Sequence, residues 1–201
     1  MTIIKSHTFV DCIQSDLGKF EWKKLHRDII RRFTTKRPSQ RLRYIGVVNW
    51  VYCSPAGKLI ACLLKPFELL PAQNARHVAF EFLIQHQANH IKKQRRYFLD
   101  TNEIFTFRSI FSLDPTLHEE FKTGLGMKLK LSVENGDLLF SDQGHFWRIG
   151  TWRIPIPRWC SIGKFELLHH NIDARYFQVI IRISHPILGV LFYQQGKFFK
   201  N

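Results

Sequence analysis

The sequence predicts an α+β fold: mainly an antiparallel β meander, strongly curved or closed into a barrel, with an N-terminal helix and one further short helix. Three observations carry this. Apolar residues alternate with polar ones over most of the chain from residue 76 onward, which is the two-residue period of a strand. Turn-forming pairs, above all Asn135-Gly136, separate the alternating runs. Helical spacing is confined to two stretches in the first third of the chain.

Residues 1–15 read as an N-terminal extension and 16–201 as a single β-rich domain. Over 16–33, Leu17, Phe20, Leu25, Ile29, Ile30 and Phe33 recur every three to five positions, while Lys23, Lys24, Arg27 and Arg31 fall on the opposite side. That is an amphipathic helix. The polar stretch around Pro38 is a connector, and 43–53 (RYIGVVNWVYC) is a β-rich run. SPAG at 54–57 makes a turn into a short helix at 58–64, which Pro66 ends. Alternating runs follow at 76–84, 91–99, 103–112, 127–133, 137–141, 145–153, 164–170, 177–185 and 189–199. Asn135-Gly136 is the strongest hairpin signal, with Gln143-Gly144 and residues 172–175 as further turns. Pro155 and Pro157 fix one bend, and His185-Pro186 with Gly189 another. Short turns between successive strands mean antiparallel pairing, not βαβ units. Roughly nine or ten such strands suffice for a barrel, whose inner face is a natural apolar cavity.

A chain of 201 residues, 45% hydrophobic and 23% charged, is globular. Thirty Lys and Arg against sixteen Asp and Glu leave a net charge of +14, which favours anionic partners: nucleic acid, lipid head groups or acidic metabolites. Four Cys at 12, 53, 62 and 160 form no CxxC pair and read as buried thiols in a reducing compartment. Asp11 and Asp16 interrupt any signal-peptide core, and the apolar stretch at 59–70 is shorter than the roughly 20 residues a membrane span needs. The expectation is a cytoplasmic protein able to touch membranes.

Arg96, Arg108, Arg148, Arg153 and Arg182 lie within apolar strands. A guanidinium on an interior face needs an anion. One reading therefore gives Arg108, Arg148 or Arg182 the acidic head of an amphipathic ligand; the other puts these arginines on a wet face, paired with Glu81, Glu103 or Glu166. His86 and His90 have helical metal-pair spacing, but Gln87 stands where a zincin motif needs Glu, and adjacent His169 and His170 point apart on a strand. No metal or cofactor motif is read, and no nucleophile motif either. Glu119-Glu120 follow the Asp114-Pro115 turn, where a helix N-terminus favours acidic residues. Basic clusters at 23–32, 36–43 and 92–96 fit no nucleic-acid module; they read as a solvated basic face, which attraction to an anionic membrane could equally use.

Several segments in order resemble the bacterial domain-of-unknown-function 4166 family. DLGKFEWKKLHRDIIRRF (16–33) is similar to its opening helix, with Leu25-His26 as a paired landmark. RRYF (95–98) and FTFRSIF (105–111) resemble its Arg-aromatic and Phe-Arg-Ser strands, though a Trp usual before the first Arg is missing. NGDLLF (135–140), IPIPRW (154–159) and ISHPILGVLFYQQGKF (183–198) resemble its final meander. The resemblance implies a β-rich standalone domain, with relatives fused to proteins resembling saccharopine dehydrogenase, and it lends no catalytic residue.

The function expected is non-enzymatic binding of an apolar or amphipathic, anionic-headed ligand. Arg108, Arg148 and Arg182 would serve the head group, and Phe105, Phe107, Trp147 and Phe177 would line the pocket. Replacing Arg108 and Arg182 by Met would then abolish binding. Two alternatives stand beside it: an enzyme using the same cavity, with His145, His185 or Glu166 as acid or base, and a basic surface module for membrane or nucleic acid.

Overall fold

The computed structural model describes residues 8–34, 41–64, 71–87, 90–99, 104–114 and 116–200. Thr8 opens α1 (Phe9–Lys24) with a capping box: its hydroxyl accepts the Asp11 N–H at 3.2 Å, and the Asp11 carboxylate accepts the Thr8 N–H at 2.8 Å. Helix thus begins well inside the expected extension, and Phe9, Cys12 and Ile13 are buried. The single helix expected at 16–33 is two. Gly18 leaves helical geometry at φ +71°, which kinks α1 and leaves Phe20 exposed rather than in the core. At Leu25-His26 the chain breaks again, because the His26 N–H is taken by the Gly136 carbonyl at 2.8 Å, and α2 (Arg27–Phe33) starts from a His26 cap. The third helix, α3 (Pro55–Leu63), starts at a Ser54 cap with proline in its first turn; the Pro38 and Pro66 expectations lie outside the described residues.

The strands are β1 (Arg41–Cys53), β2 (Ala75–His86), β3 (Ile91–Phe98), β4 (Ile104–Leu113), β5 (Leu117–Phe121), β6 (Leu125–Glu134), β7 (Asp137–Ile149), β8 (Trp152–Ile156), β9 (Lys164–Asn171), β10 (Tyr176–His185) and β11 (Gly189–Lys200). All pairings are antiparallel, in the order β6-β5-β4-β3-β2-β1-β11-β10-β9-β7, and β6 also pairs with β7. That last ladder closes a ten-stranded barrel, with β8 hung on the outer end of β7. Closure leaves the ring no exposed edge.

Two turns form as expected. Asn135-Gly136, both at positive φ, joins β6 to β7, and Asp173 caps the β9–β10 turn by accepting the Arg175 and Tyr176 N–H groups at 2.7 Å each. Gln143-Gly144 is not a turn. It is an irregularity within the continuous β7, where Asp142 accepts the Gly144 N–H at 3.1 Å and the Phe165 N–H at 2.6 Å. The bend expected at Pro155 is likewise a strand, tolerated because β8 is an edge. A strand at β5, absent from the sequence reading, takes Glu119 and Glu120.

Helices α1 and α2 plug one end of the barrel. Phe9 packs on Phe33 and Phe111, with ring centroids 4.9 and 5.0 Å away, and its N–H is accepted by His86 Nε2 at 3.0 Å. Arg32 is held in the plug by the Asn171 side chain and the Asp173 and Tyr176 carbonyls. Cys12 and Cys53 are buried, whereas Cys62 and Cys160 are exposed, against expectation. Among the described residues no helix is long and apolar enough to cross a membrane.

Candidate functional site: the barrel interior

Strand parity decides what faces inward. On β3 the inward set is Ile91, Lys93, Arg95 and Tyr97; on β4 it is Phe105, Phe107, Ser109 and Phe111; on β5 it includes Leu117 and Glu119. This brings two cations and one carboxylate together inside an aromatic wall. Glu119 accepts Lys93 Nζ at 2.7 Å, Arg95 Nη1 at 3.3 Å and the Ser109 hydroxyl. Lys93 sits 4.4 Å over the Phe111 ring, and Arg95 lies between Phe82 and Phe107 at 5.1 and 4.8 Å. Burial opposes the Glu119 charge, but the two cations outweigh it and hold its pKa down at about 2. Burial lowers Lys93 to about 8 in spite of Glu119. At neutral pH all three are charged, and the cluster carries one positive charge in excess.

Deeper in, His169 stacks on Phe177 at 4.4 Å and contacts Phe33 at 5.0 Å. Burial, reinforced by Arg32, pushes its pKa down to about 3, so it is neutral, and among the described residues its Nε2 has no hydrogen-bond partner. Tyr97 donates to Gln194 at 2.7 Å, and burial raises its pKa to about 12.

Two adjoining cavities of about 70 and 60 Å³ follow this wall, several times the roughly 10–15 Å³ that a cavity needs to admit one water. The deeper one is bounded by Phe9 and Phe33 of the plug and by His169, Phe177 and Phe140. The other reaches the opposite end of the barrel, between Phe105, Phe107, Ile183, Pro71 and Ile162. Arg95, Glu119, Phe165 and Ile181 are common to both.

Of the residues singled out from sequence, Phe105, Phe107 and Phe177 line these cavities. Trp147 does not; it lines a separate hollow at the rim with His145, Leu125, Ile156, Leu64 and Cys160. The three arginines expected inside point outward. Arg108 and Arg182 are each one residue out of step with inward neighbours, Phe107 and Ile181, and so fall on the outer face. Arg148 pairs with Glu120 on the outer wall at 2.6 Å. Arg182 stands opposite Glu166 in the β9–β10 register, and Glu81 pairs with Arg43 and Arg96; Glu103 lies outside the described residues. Arg41, Lys92, Arg96, Arg108, Lys122 and Arg148 share an outer groove of about 810 Å³.

The acid–base candidates are not brought together. Glu166 binds Lys164 at 2.6 Å, His185 caps the turn after β10, and His145 lies in the rim hollow, apart from both. Among the described residues no three His, Cys, Asp or Glu are placed to hold a metal ion. Sequence analysis names Glu119, His169 and the basic cluster holding Lys93 and Arg95, but assigns none of them to the cavity. The signal available was parity: Lys93 and Arg95 are in step with Ile91 and Tyr97.

The family model described as "Domain of unknown function (DUF4166)" matches residues 25–198, from the end of α1 through β11. The chain belongs to this family. No curated protein matches it.

Proposed function

We propose that this DUF4166 barrel is a non-enzymatic holder of an apolar or amphipathic small molecule with an anionic head. The head group sits at Arg95 and Lys93, and the apolar body lies along Phe105, Phe107 and Phe177. One observation carries the reading: two cations, Lys93 buried and Arg95 partly buried, share a single carboxylate on the wall of an otherwise aromatic and aliphatic cavity. Excess charge in a low-dielectric interior is costly. A carboxylate or phosphate monoester on the ligand balances it, and the guanidinium fork suits either.

The test is displacement of a dansylated fatty acid from delipidated protein, comparing wild type with Arg95→Met. The substitution removes the excess positive charge and leaves the Lys93–Glu119 pair intact, so the remaining cluster is charge-balanced. A charge-assisted hydrogen bond contributes about 1.5–3 kcal/mol. Affinity for the acid is therefore expected to fall by roughly tenfold or more, while affinity for the matching fatty alcohol stays unchanged. Equal affinity of both proteins for the acid would remove Arg95 as the head-group site.

A further inference from the structure

Beyond residue 147, β7 pairs among the described residues with β8 alone, and the register of this hairpin sorts its side chains sharply. Ile149 faces Trp152, Trp147 faces Ile154 and His145 faces Ile156, all on one side; Arg148 faces Arg153 and Phe146 faces Pro155 on the other. The second side is strapped to the outer wall of β5. Arg148 and Arg153 both reach Glu120, at 2.6 and 3.4 Å, and Arg153 also donates to the Asp114 carbonyl at 2.8 Å and meets His118 Nε2 at 2.9 Å. Phe146 is buried against His118. The strap leaves the apolar side of the hairpin facing solvent: Trp152 is 78% exposed, Ile149 59% and Ile154 49%.

This side is continuous with the mouth of the barrel. Trp147 and Ile156 share the rim hollow with Leu64, at the end of α3, and with Ile162, which also lines the outer cavity. Exposed Leu59 and Leu63 stand on α3, Trp159 follows β8, and Ile187 and Leu188 tip the β10–β11 turn at the same end. Three of the five Trp of the chain are gathered there. Soluble monomers rarely expose an apolar surface of this extent without a use for it.

We propose that the mouth of the barrel is a membrane-docking surface, with Trp147, Trp152 and Trp159 entering the head-group layer of an anionic bilayer beside Ile149, Ile154 and Leu63. Tryptophan prefers that layer, since its ring is apolar and its N–H polar. Charge selects the partner. Lys58 and Arg158 are exposed at the rim within a chain of net charge +14, which is drawn to anionic lipid and repelled by a second copy of itself. Docking as such stands without the interior site; its use, exchange of an amphipathic ligand between bilayer and cavity, rests on the function proposed above.

The test is co-sedimentation of the full chain with vesicles of phosphatidylcholine, with or without phosphatidylglycerol. Tryptophan emission is read against vesicles whose acyl chains carry bromine. The proposal expects binding to the anionic vesicles, quenching by the brominated chains, and a loss of about tenfold or more in partitioning for Trp152→Ser/Ile154→Ser. Both positions are exposed, so displacement of the dansylated fatty acid in free solution should be unchanged in this variant. No binding to anionic vesicles, binding without quenching, or equal partitioning of the variant would each overturn the proposal. So would a wild-type dimer that the double substitution dissociates. In all four cases an intact response to the soluble probe would leave the cavity reading standing.

Discussion

Replacing Glu119 by Gln keeps the shape of the side chain and removes the one carboxylate within 4 Å of Lys93 and Arg95 among the described residues. Breaking a buried pair by deleting one partner costs about 3–5 kcal/mol, and here two cations lose the same partner. The loss has an internal relief. Lys93, already lowered to about 8 by burial, loses the carboxylate that raised it and sheds its proton at a lower pH. The folded variant then binds fewer protons than its unfolded chain, so its stability climbs with pH towards that of the wild type. Above a pH of about 8 the lysine is neutral in both proteins, and only the Arg95 contact separates them. Below pH 4.5 the gap closes from the other side, because wild-type stability is lost as Glu119 is protonated on the way to its folded pKa of about 2. The penalty is therefore expected to be greatest, about 3 kcal/mol or more, near pH 5–6, and to shrink by pH 9. Urea unfolding at four pH values between 5 and 9 measures it. A penalty below about 1 kcal/mol, or one that does not change with pH, would refute the buried ion cluster.

Two further outcomes follow from placement. His169 is held neutral with a pKa lowered from 6.5 to about 3, so the unfolded state binds the extra proton across that window and stability falls as pH drops through it. The contribution at pH 5 is about 2 kcal/mol; His169→Phe, which keeps the stack on Phe177, should flatten this limb in thermal melts at pH 5 and 7. Arg108→Met and Arg182→Met change the outer wall alone, so the dansylated acid should displace from either variant with affinity within about twofold of wild type. A large loss would return the head-group site to the positions that sequence periodicity first suggested.

Much of the architecture was legible because it depends on local rules. Asn135-Gly136 can supply two positive φ angles, and the runs of 91–99, 164–170, 177–185 and 189–199 repeat every two residues. The failures have local causes too. LHEEF carries two adjacent carboxylates, which argue against a strand unless one of them meets buried cations; that knowledge sits on β3, some 25 residues away. Gln143-Gly144 has the composition of a turn, and only the Asp142 bonds to Gly144 and Phe165 make it a bulge in a continuous strand. In KKQRRYF, Lys92 and Lys93, and again Arg95 and Arg96, alternate between the two walls, so composition cannot choose the inner cation. Parity can, once the faces of Ile91 and Tyr97 are known.

The two ends of the barrel differ in how they could admit a ligand. The plug end is shut by packed rings and by Arg32, whose side chain ties α2 to the β9–β10 turn through three contacts. A ligand entering there would have to part Phe9, Phe33 and Phe111 and break the His86 bond to α1, which disturbs the core itself. At the other end the walls are Pro71 and Ile162, in loops, and the partly exposed Phe105 and Phe107. An amphipathic molecule that put its anionic head first through this mouth would pass the aromatic pair before reaching Arg95, and its tail would then trail toward the rim. The apolar hairpin stands on that side, held by arginines that would otherwise be the obvious anion ligands. Arg148 and Arg153 are committed to Glu120, so on the function proposed above a head group passing the mouth would meet Arg95 and Lys93, which share Glu119.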